Sequence, residues 1–296
     1  MNHRAVYSAP GKLVLLGEYA VLEGARAMVA AVTRRATGTT NPAAPPPTPV
    51  VAAALAIAEG HRYPRLGDGV TIDTRDFSRD GKKLGLGSSA VASLLATALA
   101  TGRDDEVTLE LAIEAHRRAS NGEGSGVDVA ASFHGGVIAA ARQPALVTPL
   151  ASRCPGLFLT VIATGESAAT TDMVAACRAA STWSSWVKVL GQIAAEGIRA
   201  WSMKDTAGFL SAIARAGRAM EKLGVDAGRP VVTPAIAAIM EEAGRQNAAA
   251  KPSGAGGGDV AIVFATDEDI GRRVAESVGL AVIDLAIDPI GLRRES

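Results

Sequence analysis

The sequence predicts an α+β fold in two modest domains, residues 1–150 and 151–296. Three observations carry that expectation. Short apolar runs that read as strands are interspersed with longer, alanine-rich runs that read as helices. A chain of 296 residues with 48% hydrophobic content suffices for two cores of ordinary size. Finally, residues 260–287 read strand, helix, strand, an order that suits a ferredoxin-like layer.

Taken in chain order, residues 12–16 and 27–32 read as strands, and Pro42 to Pro49 as a proline-rich surface connection. Val50 to Glu59 is helical by alanine content, and Val70 to Thr74 alternates as a strand does. A helix starts near Ser89 and runs to about Ala100; another covers Thr108–Ala119, with Thr108 as a fair N-cap. Gly135 to Ala141 closes the first half as a strand. The second half opens with the strand Leu157–Ala163, followed by helical patterns over 171–180, 184–201, 205–222 and 234–247. In the last of these, Ile236, Ile239, Met240 and Ala243 fall at i, i+3, i+4 and i+7 and make one apolar face. A strand (260–265), a helix (268–278) and a strand (281–287) finish the chain, and no internal repeat is present.

Three glycine-rich segments carry the chemistry. Residues 251–259 read Lys-Pro-Ser-Gly-Ala-Gly-Gly-Gly-Asp, four glycines in nine residues between a helix and a strand. So many glycines cost backbone entropy, and the usual reason for them is backbone passing close to a ligand, phosphate most often. The plainer alternative is a tight loop. Lys83-Leu84-Gly85-Leu86-Gly87-Ser88-Ser89-Ala90 runs straight into the helix near Ser89. Free N–H groups and the positive end of the helix dipole would face this turn, which suits a polyphosphate; a serine N-cap after a flexible loop reads equally well. Near the N-terminus, the Pro10-Gly11 turn delivers Lys12 to the mouth of a short apolar strand that continues to Gly17-Glu18-Tyr19. Alone, Lys12 would be a solvated lysine; beside two phosphate candidates it becomes a charge partner for a phosphoryl group.

A fourth segment, Asn121 to Ser132, places Asp128 after a glycine-serine turn and before small apolar residues. An acid there needs a partner, since desolvating it alone costs several kcal/mol, and Lys12 is the obvious one. Such a pair can orient or deprotonate a substrate hydroxyl while the lysine stabilises developing phosphoryl charge. Asp128 as the cap of a helix beginning near Val129 is the alternative.

Composition narrows the classes. Thirty basic and thirty acidic side chains cancel, so nucleic acid and membrane surfaces are not expected partners. Cys154 and Cys177 lack CxxC spacing and read as buried small apolar residues. His3, His61, His116 and His134 show no HExxH spacing, and there is no GxxxxGK[ST]. No signal peptide is expected before Pro10, and no apolar run is long enough to span a bilayer, so a cytoplasmic enzyme is expected. Monomer and homodimer are both open.

Together the three glycine-rich segments resemble the GHMP kinase family (galactokinase, homoserine kinase, mevalonate kinase, phosphomevalonate kinase), which shows them in this order. The resemblance extends over most of the chain and is weakest between Arg34 and Pro49. It implies an N-terminal ribosomal-S5-like domain carrying the ATP-phosphate loop, a C-terminal ferredoxin-like domain completing the substrate site, and ATP between them. In that family the aspartate matching Asp128 is the catalytic carboxylate, and the lysine matching Lys12 contacts it and the transferring phosphate. Lys83, Gly85, Leu86, Gly87, Ser88, Ser89 and Ala90 match the ATP-binding loop.

Within the family, phosphomevalonate kinases are similar at Ala9-Pro10-Gly11-Lys12 with Gly17-Glu18-Tyr19-Ala20-Val21, at Asp76-Phe77, at Gly124 to Ser132 with Gly135-Gly136, at Thr164 to Thr171, and at Ala250 to Asp259. The implied reaction is ATP-dependent phosphorylation of (R)-5-phosphomevalonate to 5-diphosphomevalonate in the mevalonate route to isoprenoids. Mevalonate or another small-molecule acceptor is the nearer alternative, and a nucleotide-binding sensor without catalysis the more distant one. The implied acceptor contacts are Lys12, Gly17, Glu18, Tyr19, Ser125, Gly126, Ser167, Thr170, Ser253, Gly254, Ala255 and Gly256. Lys83, Lys251 and Arg142 are further cations for a phosphorylated substrate, with Lys12, Lys83 and Ser253 the set expected nearest phosphate. Arg117 stands where a mevalonate kinase would be expected to carry a glutamate. The expected Mg2+ ligands are therefore Ser88, Ser89 and the phosphates of ATP, with Glu114 a further candidate. The region Thr33 to Gly69 is short for a phosphomevalonate kinase and leaves nucleotide preference open.

Overall fold

The computed structural model describes residues 5–64, 66, 69–122, 124–142, 146–166 and 169–295. Its first half is built on two long strands, β1 (Val6–Leu16) and β2 (Ala27–Asn41), paired antiparallel around a short 3-10 turn at Ala20–Glu23. The pairing slips between Pro10 and Gly11, where Pro10 faces Arg35 and Gly11 already faces Val32. Such a bulge re-aims the strand, and here it precedes Lys12. Leu13, Leu15 and Leu16 are fully buried and anchor β1 in the core.

Helix α1 (Pro49–Gly60) starts with proline in its first turn, where no intrahelical N–H bond is lost. Then come β3 (Gly69–Asp73), a 3-10 turn at Arg75–Phe77, and a hairpin of β4 (Ser78–Arg79) and β5 (Lys82–Lys83). Next follow α2 (Ser88–Thr101), α3 (Glu106–Ala119), α4 (Val127–His134), β6 (Val137–Ala140) and β7 (Thr148–Leu150). Residues Ala90 to Ala100 of α2 are all buried, which explains a helix of alanine and leucine with no polar stripe. Asp105, not Thr108, caps α3: its carboxylate accepts from the Thr108 N–H.

The second half runs β8 (Phe158–Ala163), α5 (Thr170–Ala179), α6 (Trp183–Ser202), α7 (Thr206–Asp226), α8 (Pro234–Arg245), β9 (Ala249–Pro252), β10 (Val260–Ala265), α9 (Ile270–Ser277) and β11 (Ala281–Ile283). Its strands pair antiparallel in the order β11-β8-β10-β9, the ferredoxin-like arrangement. Ile236, Ile239 and Ala243 of α8 are buried and Met240 is half-buried, as their spacing predicts. Trp201, Phe209 and Phe264 pack edge to face, with ring centroids 4.9 Å and 5.0 Å apart along the chain of contacts.

The final strand is shorter than the expected 281–287, because the chain leaves the second sheet after Ile283 and crosses back. Ile287 bridges to Val32, the Arg35 guanidinium pairs with Asp288 at 2.7 Å, and β12 (Arg293–Arg294) adds an edge strand to β1. Residues 284–295, counted with the second half on sequence, therefore pack on the first sheet, whose order is β12-β1-β2-β6-β7 with β3 on the far end of β2. Among the described residues no helix is long and apolar enough to cross a membrane.

Candidate active site

A cleft of about 980 Å³ opens between the two halves, and all three glycine-rich segments line it. Lys12 lies on its floor, 6% exposed, with Nζ 3.4 Å from Asp128 Oδ2 and 3.3 Å from the Gly85 carbonyl. The Lys12 backbone N–H also donates to the Leu86 carbonyl at 2.9 Å, so β1 and the loop before α2 are tied together at this point. Asp128 sits in the first turn of α4, and the N-cap position belongs to Gly126 with φ +85°. The carboxylate therefore does not cap its helix; it turns to Lys12 and is 30% exposed to the cleft.

Gly87 shows why the loop is glycine-rich. Its φ is +82°, and a Cβ there would lie 2.9 Å from Lys12 Cε. It occupies the N-cap of α2 without any side-chain hydrogen bond to the first turn. The leading N–H groups of α2 thus face the cleft with the positive end of the helix dipole behind them, a setting for an anion. Gly85, with φ +64°, lies against the Asp259 carboxylate, which brings the second and third glycine-rich segments into contact. Ser88 is half-buried, Ser89 and Lys83 are exposed, and all three line the cleft.

Ser125, Gly126, Thr170, Gly254, Ala255 and Gly256 also line it. Other expected contacts are placed differently. Gly17 lies behind the cleft at φ +94°, packed so that a Cβ would meet Ala27 Cα at 2.6 Å. Glu18 reaches the cleft wall, but its carboxylate is committed to Lys251, Oε1 to Nζ 2.5 Å, with both side chains at most 2% exposed. Burial lowers the Lys251 pKa against the opposing pull of Glu18. The Lys251 ammonium also donates to the Pro252 carbonyl, so it is a buried strut and not a phosphate cation. The Ser253 hydroxyl is likewise engaged with β1, accepting from the Val14 N–H at 3.0 Å and donating to the Val14 carbonyl at 3.1 Å. The Tyr19 hydroxyl donates to the Ala255 carbonyl, and burial, reinforced by Cys177 and Glu18, raises its pKa.

Arg142 donates to the Leu22 and Gly122 carbonyls, outside the cleft lining. Glu114 points the other way, 3.9 Å from His61. Arg117 staples the turn before α4 by donating to the Gly124, Ser125 and Arg142 carbonyls. Ser167 lies outside the described residues.

Sequence reasoning passed over His116 and the inner face of α5. His116 lines the cleft, and burial holds its pKa below the ordinary value; Lys12 reinforces this and Asp128 opposes it. The signal was its place on α3, three residues after the buried Ile113. Thr171, Val174, Ala175 and Arg178 of α5 form the far wall, at i, i+3, i+4 and i+7.

Among the described residues no three His, Cys, Asp or Glu side chains gather as a metal cage. Magnesium commonly keeps several waters and is held through substrate phosphates with few protein ligands, so the hydroxyls of Ser88 and Ser89 fit an ion that arrives with a nucleotide.

This arrangement, an S5-like layer and a ferredoxin-like layer facing a shared cleft lined by glycine-rich loops, defines the class. Residues 207–283 match the family model described as GHMP kinases C terminal. A phosphomevalonate kinase of Streptomyces sp. (strain CL190) is 30% identical over 239 residues, 69% of this chain and 62% of that relative. The chain thus spans less than two thirds of the relative's length. The Lin0012 protein of Listeria innocua superposes with a TM-score of 0.86 at 22% identity, over 99% of this chain and 100% of its own. Phosphomevalonate kinase of Streptococcus pneumoniae, solved in complex with phosphomevalonate and AMPPNP, gives a TM-score of 0.79 at 19% identity, over 95% and 99%. The chain belongs to the GHMP kinase family.

Proposed function

We propose that this protein is an ATP-dependent phosphotransferase acting on (R)-5-phosphomevalonate to give 5-diphosphomevalonate, a step of the mevalonate route to isoprenoids. The observation that carries the reading is the Lys12–Asp128 pair on the cleft floor, directly below the uncapped start of α2. The phosphomevalonate kinase relative at 30% identity supports this choice of substrate. The proposed division of labour gives residues 1–150 the nucleotide-phosphate loop and residues 151–296 the wall that completes the acceptor site.

ATP phosphates rest on the N–H groups of Ser88 to Ala90, with Lys83 beside them. Mg2+, held by the phosphates with Ser88 and Ser89, would supply charge neutralisation across the phosphoryl oxygens. The acceptor's phosphate oxygen attacks the γ-phosphorus in line, and the bond to the β-phosphate oxygen breaks to release ADP. Lys12 holds the charge on the transferring group, and positioning supplies most of the rate. A phosphate monoester is already largely ionised near neutral pH, its second pKa being about 6, so Asp128 orients through Lys12 more than it abstracts a proton.

A second reading has one observation in its favour. A carboxylate open to the cleft beside a lysine is what an alcohol acceptor such as mevalonate requires of a general base. ADP release from Mg-ATP with 5-phosphomevalonate, mevalonate, homoserine and galactose separates the two. Turnover confined to 5-phosphomevalonate is the expected result. A preference for an alcohol would keep the Lys12–Asp128 chemistry and overturn the acceptor. Nucleotide binding with no turnover would favour a sensor.

A further inference from the structure

His116 lines the cleft, yet the reaction described above gives it no part. It stands in the last turn of α3, and both Asp128 and Lys12 act electrostatically on its ring. One edge of that ring is closed. Nδ1 is buried, and among the described residues it has no hydrogen-bond partner. The turn before α4 lies so close that a Cβ on Gly124 would come within 3.0 Å of Nδ1. Arg117 pins that turn by donating to the Ser125 carbonyl at 2.9 Å, and the Ser120 hydroxyl is spent on the His116 carbonyl at 2.7 Å. The ring therefore meets the cleft through its other edge, and Nε2 is the nitrogen a ligand can reach.

The closed edge decides where the proton sits. Burial favours the neutral imidazole, which carries one N–H and one lone pair. A buried N–H without an acceptor is the costlier orphan, so the lone pair takes the closed position and Nε2 carries the proton. His116 then presents a fixed, uncharged donor in the same cleft wall as Asp128. Such a donor adds to Lys12 without drawing Asp128 away from it, as a second cation there would. We propose that His116 is a further catalytic residue, donating its Nε2–H to a non-bridging oxygen of the phosphoryl group in transit from ATP to the acceptor. The inference rests on the phosphotransferase reading given above, and not on the choice of acceptor. No bond to the ring forms or breaks. As the phosphoryl group leaves the β-phosphate oxygen for the acceptor oxygen, the hydrogen bond tightens and the proton stays on Nε2.

The two amide side chains that can replace histidine distinguish its two nitrogens: glutamine reaches as Nε2 does, asparagine only as Nδ1 does. The test measures kcat and the KM for ATP on the wild type, His116→Gln, His116→Asn and His116→Leu. The acceptor is whichever of the four named above the wild type turns over fastest. His116→Asn and His116→Leu should lower kcat by about 10- to 100-fold with the KM for ATP within about threefold. His116→Gln should keep kcat within about fivefold of the wild type, because its amide restores the donor. Packing alone would not separate glutamine from asparagine in this direction, and a preserved KM for ATP reports an intact fold. A glutamine variant as slow as the asparagine one, or asparagine and leucine variants with wild-type kcat, would overturn the inference and leave the phosphotransferase reading standing. So would losses of kcat that come with a KM for ATP raised about tenfold or more, which would make His116 a packing residue. A wild type that binds ATP and turns over none of the four acceptors overturns both.

Discussion

Among the described residues, two lysine–carboxylate pairs lie in the central cleft region, and they differ in one respect that decides their roles. Lys251 and Glu18 are sealed, 2.5 Å apart with side chains at most 2% exposed, and the lysine also bonds to the Pro252 carbonyl. Lys12 and Asp128 are looser, 3.4 Å apart, and the carboxylate is 30% exposed to the cleft. The first pair joins β9 of one half to the turn after β1 in the other, and its charges are enclosed. The second leaves one carboxylate edge and one ammonium directed at a cleft that holds a nucleotide-sized volume. The same two functional groups make a strut when enclosed and a reactive centre when one side is left open.

The comparison predicts its largest effect at the open pair. Lys12→Met should lower kcat by about 10²- to 10⁴-fold with little change in chemical stability, read from steady-state turnover and urea midpoints side by side. At the sealed pair the losses should appear as stability. Lys251→Met leaves the Glu18 carboxylate buried without its counter-ion and should cost about 3–5 kcal/mol in urea unfolding, much of it regained in the Glu18→Leu/Lys251→Met double variant. A double variant as unstable as the single one would show that the strut contributes more than charge compensation.

A smaller effect separates two glycines of similar dihedral. Gly87→Ala places a Cβ 2.9 Å from Lys12 Cε and should raise the KM for ATP about tenfold by displacing the loop. Gly102→Ala, at φ +69° with nothing within 4 Å, should cost only about 1 kcal/mol of stability and leave that KM alone. The smallest effect concerns His116. Burial sets its folded pKa below the usual 6.5, so as pH falls through that value the unfolded chain takes up the proton first. Stability is then fully present above about pH 6.5 and declines below it, towards the lowered folded value. His116→Gln should flatten the fall in unfolding free energy between about pH 7 and pH 5, with His134, also lowered by burial, responsible for part of what remains.

Much of this was legible in the chain because glycine and proline are informative where backbone must pass close to something. Pro10-Gly11, Gly85-Leu86-Gly87 and Gly254 to Gly258 located the cleft, and the small residues after Asp128 located its acid. Side-chain direction was less legible. Lys251 and Ser253 looked like phosphate ligands beside glycines, yet Lys251 lies in strand β9 and Ser253 directly follows it, and both are turned into contacts with β1 and its following turn. Nothing in a four-residue run of Ala-Ala-Lys-Pro reveals which face it presents. Short edge strands such as β7 and β12 were missed for a related reason: they are set by long-range pairing, not by local pattern. The α5 wall escaped because it carries no glycine signature, only a helical spacing of Thr171, Val174, Ala175 and Arg178 that any surface helix might share.

The central claim is tested most directly by one crossed measurement: kcat with 5-phosphomevalonate and the urea midpoint for Asp128→Ala and Glu18→Gln together. The account predicts that Asp128→Ala loses turnover by about 10²-fold or more at an unchanged midpoint, while Glu18→Gln lowers the midpoint, by about 3 kcal/mol in free energy, and keeps turnover per folded molecule within about tenfold. An Asp128→Ala enzyme that retains most of its kcat would contradict it.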